Sequence, residues 1–183
     1  MELKTNRIEA LTDGIFAIVM TIMIVSMSEL IEFSSFAKES DYYMLFMSLW
    51  KDFASYAISF MLLGAVWLVH HWQFQHISHV DTGLVFINII WFMFICLVPL
   101  STIMLGNHPD FFAPIFVFEC NVLMVFLMLH IQWAYVTRRK KRVGISLDDK
   151  MISQQRNTTL SLVIIMVIVI IISYGYHLLL LRQ

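Results

Sequence analysis

The chain has 183 residues, 60% of them hydrophobic and only 14% charged, with a mean hydropathy of +0.78 and a formal net charge of −1. Those values exclude a soluble domain, because several apolar runs exceed the ~18 residues that cross a bilayer. A net charge so near zero says nothing about partners.

Five apolar runs are expected to span the membrane, at about residues 8–29, 53–73, 84–105, 113–136 and 158–181. The fold class is therefore all-α: a polytopic helical membrane protein with five transmembrane helices, forming one membrane domain over residues 1–183. The first run is too long for a signal peptide and lacks a small-residue cleavage site before a soluble region. Lys4, Arg7, Arg138, Arg139, Lys140, Lys141, Arg142, Lys150 and Arg156 would share one side, against Lys38, Lys51 and Arg182 on the other. The positive-inside rule then puts the N-terminus and a basic loop at 137–157 in the cytoplasm. The Arg138–Arg142 cluster beside a span sets topology, with attraction to anionic headgroups as a second effect, and is not a nucleic-acid site.

The first span opens with Arg7, Glu9 and Asp13 and carries one hydroxyl, Thr21, near its middle. An ionisable group where hydrocarbon begins costs about 2.5–3.5 kcal/mol on insertion scales, so it marks a partner or an ion path. At ~100° per residue, Arg7, Leu11, Gly14, Ile18, Ile22, Val25 and Glu29 share a stripe with Thr21 at its edge, while Asp13, Phe16 and Met20 point away. A narrow apolar face with a hydroxyl, flanked by charge, suits a helix lining a pore; ordinary helix packing is the competing reading.

The loop at about 30–52 mixes Glu32, Glu39 and Asp41 with Phe33, Phe36, Tyr42, Tyr43 and Trp50, and is expected to lie at the interface. The second span carries Tyr56, Ser59, Trp67, His70 and His71. Adjacent histidines on a helix point ~100° apart and cannot share one ion as an i, i+4 pair would, so hydrogen bonds to a neighbouring helix are expected instead of metal. Asp13 should lie at the depth of the histidines and contact His70 or His71, or else stay in interfacial water. The third span carries Asn88, Pro99, Ser101 and Thr102, and ends in a Gly/Pro turn at 106–110. In the fourth, Glu119, Asn121 and His130 stand out, with Glu119 expected to face water or snorkel. Cys96 and Cys120 lie inside spans and read as small packing residues.

Three ordered motifs are similar to those of one family. Arg7-Ile-Glu-Ala-Leu11-Thr12-Asp13-Gly-Ile-Phe-Ala-Ile18-Val-Met-Thr21 resembles the Arg-x-x-x-Phe-Ser-Asp signature of the transmembrane protein 175 type of potassium channel, with Leu and Thr replacing Phe and Ser. Tyr56, Ser59, Phe60, Trp67, His70, His71 and Phe74 match its second-helix pattern, and Asn88, Pro99, Ser101, Thr102 and Gly106 its third. The resemblance covers about residues 7–106. It implies a homotetrameric cation channel of the cell (plasma) membrane, modestly selective for potassium, with no enzymatic activity and no cofactor beyond the permeant ion. It implies pore rings at Ile18, Ile22 and Val25, a hydroxyl layer at Thr21, and a polar network of Arg7, Thr12, Asp13, Trp67, His70, His71 and Asn88 at the inner end. Ile18 would gate by dewetting, and Glu29 and Glu32 would gather cations at the mouth. The family unit has six helices against the five spans found here: either the sixth helix is absent, which would leave the C-terminus outside, or the chain is truncated. Two other functions compete: a non-conducting scaffold, and a small metal transporter or membrane enzyme using His70, His71 and Glu119.

Overall fold

A computed structural model gives the architecture, and it describes residues 3–28, 42–44, 47, 49–139, 144–145 and 147–181. Among the described residues five long helices carry the chain: α1 Thr5–Ser28, α2 Trp50–Gln75, α3 Thr82–Asn107, α4 Phe112–Arg138 and α5 Asp149–Leu180. All five are long and apolar enough to cross a membrane. The chain is a multi-pass helical membrane protein.

Helices start where the sequence supplies a cap. The Asp81 carboxylate accepts from the Leu84 N–H at 2.9 Å and opens α3; Asp148 does the same for Met151 at 2.7 Å and opens α5. Pro114 sits in the first turn of α4, where a missing N–H costs nothing. The connection expected over 137–157 is shorter, because α4 runs to Arg138 and α5 begins at Asp149. At ~1.5 Å per residue the 32 residues of α5 reach about 48 Å, well beyond a ~30 Å hydrocarbon core. Its polar first turns therefore stand outside the membrane and pack on the end of α4, where the Trp133 indole donates to the Ile152 carbonyl at 3.1 Å.

α3 is the central helix of the bundle. α3 lies on α1, α2 and α4; α1 also lies on α2, and α5 rests on α4. The main core gathers Phe16, Val19 and Met23 of α1, Leu63 and Val66 of α2, Trp91, Ile95 and Val98 of α3, and Val122, Val125 and Leu129 of α4. Lipid offers no hydrophobic drive between helices, so buried polar pairs fix their rotation. Thr102 donates to Ser59 at 2.8 Å between α3 and α2, and Trp91 donates to the Val125 carbonyl at 3.1 Å between α3 and α4. His130 meets Thr159 at 2.9 Å between α4 and α5. Glu119 lies against α5 at 7% exposure with one carboxyl oxygen buried and without a hydrogen-bond partner, which corrects its expected water-facing position.

Pro99 interrupts α3, and α4 repairs it. With its amide oriented for donor–acceptor complementarity, Asn121 donates to the Phe94 carbonyl and accepts from the Val98 N–H, each at 3.2 Å. A side chain thus enters the backbone ladder at the Phe94–Val98 step directly before the proline, one way membrane helices accommodate an internal Pro.

At the N-terminal end of the bundle, three distant segments are laced together. Strand β1 (Leu3–Lys4) pairs antiparallel with β2 (His79–Val80), Thr5 donates to the Ile77 carbonyl at 3.0 Å, and Ile77 bridges to Ile145. The Ser78 hydroxyl donates to the Gly144 carbonyl at 2.8 Å, with Gly144 at φ +64°, the left-handed region that glycine enters without a Cβ clash. The sequence gives no sign of this two-residue ladder.

Candidate functional site: the first helix and its footing

α1 has two unlike sides. Ile8, Thr12, Phe16, Val19 and Met23 recur at three- and four-residue steps and are buried, the spacing that aligns side chains on one helical face. Phe16 lies 5.6 Å from Trp91 between ring centroids. The opposite side holds Arg7, Leu11, Gly14, Ile18, Ile22 and Val25, all exposed. Ile18 is 59% exposed in the second half of the span and Val25 57% at its end. Nothing lies within 4 Å of the position a Cβ would take on Gly14. Thr21 is on this open side, and its hydroxyl turns back to the Ala17 and Ile18 carbonyls at 2.9 and 2.8 Å. Its proton is thereby occupied, and its oxygen lone pairs face outward.

The polar residues at the N-terminal end of α1 divide into two groups. In one, the Trp67 indole donates to the Asp13 carboxylate at 2.8 Å and stacks on His71, with centroids 5.1 Å apart and planes within 7°. His71 in turn meets the Gln75 amide at 2.7 Å. In the other, His70 is 1% exposed and lies between Phe74 and Trp91 at 4.2 and 4.5 Å. Its Nε2 faces the Asn88 Oδ1 at 3.0 Å, while the Asn88 amide donates to the Leu84 carbonyl at 2.8 Å.

Asp13, expected to contact His70 or His71 or to stay in interfacial water, takes its hydrogen bond from the Trp67 indole, a residue that the spacing one turn before His71 places in the same cluster. Trp67 precedes His71 by one turn, so the indole reaches α1 while the imidazole lies flat upon it. The expectation that a histidine bonds a neighbouring helix is met by His70 and Asn88. Thr12 bonds its own helix, to the Ile8 carbonyl at 2.8 Å, and Arg7 stands exposed on the open stripe. Glu29 and Glu32 lie outside the described residues. Among the described residues no three His, Cys, Asp or Glu side chains converge as a metal would require.

One cluster went unforeseen. Beneath α1, the Asp81 carboxylate that caps α3 also accepts the Tyr135 hydroxyl on both oxygens at 3.0 Å and pairs with Arg139 at 3.0 Å. The Arg139 guanidinium sits 4.6 Å above the Tyr135 ring, a cation–π contact between residues one turn apart. Burial pushes the Asp81 carboxyl up, but the Leu84 N–H, the Tyr135 hydroxyl and Arg139 outweigh it and hold it below the usual range. The available signal was Asp81-Thr-Gly as a helix cap, with an aromatic and a cation four residues apart at 135 and 139.

Comparison with known proteins sets this arrangement in context. The family model described as the endosomal/lysosomal potassium channel TMEM175 matches residues 7–99, slightly more than half of the chain. This chain belongs to the TMEM175 family. A potassium channel from Streptomyces collinus is 29% identical over 139 residues, 74% of this chain and 66% of that protein. A potassium channel from Chamaesiphon minutus is 24% identical over 79% of this chain and 72% of its own length. A third, from Chryseobacterium sp., is 27% identical over 65% of this chain and 58% of the relative. This chain thus aligns with about three fifths to three quarters of each relative's length. The crystal structure of a lysosomal potassium-selective channel TMEM175 homolog from Chamaesiphon minutus superposes with a TM-score of 0.67 at 21% identity, covering 93% of this chain and 90% of that one. That likeness establishes a shared fold for the TMEM175 helices described above.

Proposed function

We propose that this chain is a subunit of a potassium-selective channel in which α1 from four copies surrounds the pore. The observation that carries it is the open stripe of α1, with Ile18 59% exposed opposite a buried face of Phe16, Val19 and Met23. A transmembrane helix that leaves one apolar side uncovered beside a hydroxyl is suited to meet copies of itself around an axis. Family membership and three relatives named as potassium channels support the same reading.

In this reading Ile18 forms the narrowest ring, Ile22 and Val25 line the lumen beyond it, and Thr21 presents hydroxyl oxygens to a dehydrating cation. Helical backbone carbonyls are already bonded, so no carbonyl cage forms, and selectivity rests on dehydration and on those oxygens. Arg7, Thr12, Asp13, Trp67, His70, His71 and Asn88 set the tilt and rotation of α1 rather than touch ions. Residues 1–183 act as one channel domain of the plasma membrane, with the N-terminus and the basic connection after α4 on the cytoplasmic side. No cofactor enters the mechanism. A metal transporter is disfavoured because His70 and His71 are each engaged by an amide and an aromatic ring.

Potassium-driven flux in proteoliposomes tests it. Ile18→Asn is expected to raise flux about tenfold or more, equivalent to ~1.4 kcal/mol off the barrier. Unchanged flux in a folded, conducting protein would remove Ile18 from the constriction, and silence from both proteins would favour a non-conducting scaffold.

A further inference from the structure

A groove of about 460 Å³ runs along α4 near its C-terminal end, lined by His130, Ile131, Ala134, Tyr135, Arg138 and Arg139. Its composition changes along its length. The deeper part presents Ile131, 37% exposed, and Ala134, with the His130 ring engaged by Thr159 at 2.9 Å, and the other end carries two guanidinium groups. From position 130 to 139 the helix rises about 13 Å, the scale of a lipid headgroup and upper acyl chain.

The two arginines differ. Arg139 is held in place by Asp81 at 3.0 Å and by the Tyr135 ring beneath it, so its remaining N–H groups have a fixed direction. Arg138, exposed in the last helical turn, has no ion-pair partner among the described residues. α4 packs mainly on α3 and α5 and touches α2, while α1 packs mainly on α3 and α2, so the groove lies away from the main contacts of the proposed pore helix. It therefore opens toward lipid.

We propose that this groove is a docking site for one anionic phospholipid, with the headgroup phosphate bridging Arg138 and Arg139 and an acyl chain lying over Ile131 and Ala134. Charge complementarity selects the occupant. Among the described residues the two guanidinium groups at this end of the groove are paired with one carboxylate, Asp81, and a phosphodiester supplies a second negative charge in a geometry arginine matches with paired N–H donors. A zwitterionic lipid brings a compensating cation against the same arginines. The site requires a membrane-embedded chain but not a conducting one, so loss of ion flux would leave it standing.

The test uses the full chain purified in detergent, melted with added phosphatidylglycerol or phosphatidylcholine of identical acyl chains, and with inorganic phosphate alone. Phosphatidylglycerol is expected to stabilise more than phosphatidylcholine. Arg138→Gln, which breaks no side-chain hydrogen bond or ion pair among the described residues, should weaken phosphatidylglycerol binding about fivefold, the share of one basic residue at a membrane surface. Ala134→Trp, which fills the trough and leaves both charges, should remove binding of the lipid. Equal shifts from both lipids, or an Arg138→Gln protein that responds like the parent, would overturn the proposal. Inorganic phosphate matching the lipid would show a free-anion site instead, and a changed oligomer with unchanged lipid response would show a face covered by a second copy.

Discussion

Asp81 does three things with one carboxylate: it caps α3, accepts the Tyr135 hydroxyl and neutralises Arg139. Because its carboxyl titrates lower in the folded chain than in the unfolded one, its contribution is fully present above the unfolded value and is lost as pH falls through the folded value. Asp81→Asn keeps a capable cap but removes the charge and the acceptor oxygen that meets Arg139, so it should cost about 1–2 kcal/mol near neutral pH and flatten the acid limb of the stability profile. Thermal melts of both proteins across pH 3–7 check this, and parallel profiles would refute it. At the same scale, Asp13 shows where sequence reasoning stops. Its depth and need for a partner were legible from its place at the start of a span. Whether Trp67 or a histidine would reach it depends on the rotation of α2, which distant pairs such as Ser59–Thr102 determine.

Hydropathy locates helices through their apolar stretches and misses whatever continues into water. All five spans were legible for that reason, whereas the first turns of α5, with Gln154, Gln155, Arg156 and Asn157, read as linker. They are helical because Asp148 caps them and Ile152 is buried beside Trp133. The exposed stripe of α1 was legible from the helical period, and so was its buried counterpart at Phe16. The β1–β2 ladder was not, since two residues per strand carry no period to detect. Where α3 begins, Gly83 lies under the Tyr135 hydroxyl and ring, leaving no room for a side chain. Gly83→Ala should therefore push Tyr135 off Asp81 and cost about 1–3 kcal/mol. Adding Tyr135→Phe, which frees the space of the hydroxyl, should cost less than the two changes summed. A Gly83→Ala protein that melts like the parent would contradict the packing described.

At the scale of the whole molecule, one copy cannot enclose a path for ions, since Ile18 and Val25 lie open on its surface. The mass in detergent is expected to be four times the 21.4 kDa of the chain. Light scattering with the detergent contribution subtracted reads it directly, and a monomer or dimer in a protein that still conducts would require a different pore. The lacing of β1 to β2 and of Thr5 to Ile77 has a mechanical consequence for such an assembly. In such an assembly it would make the first turn of α1 a fulcrum, about which the helix would swing as a lever held at one end. Ile18 lies ~20 Å from that pivot and Val25 ~30 Å, at 1.5 Å per residue. A swing of about 5° would then carry Ile18 outward by roughly 1.7 Å and Val25 by roughly 2.6 Å over those arms. Aperture would grow with distance from the hinge, and the hydrophobic ring nearest the pinned end would be the last to widen.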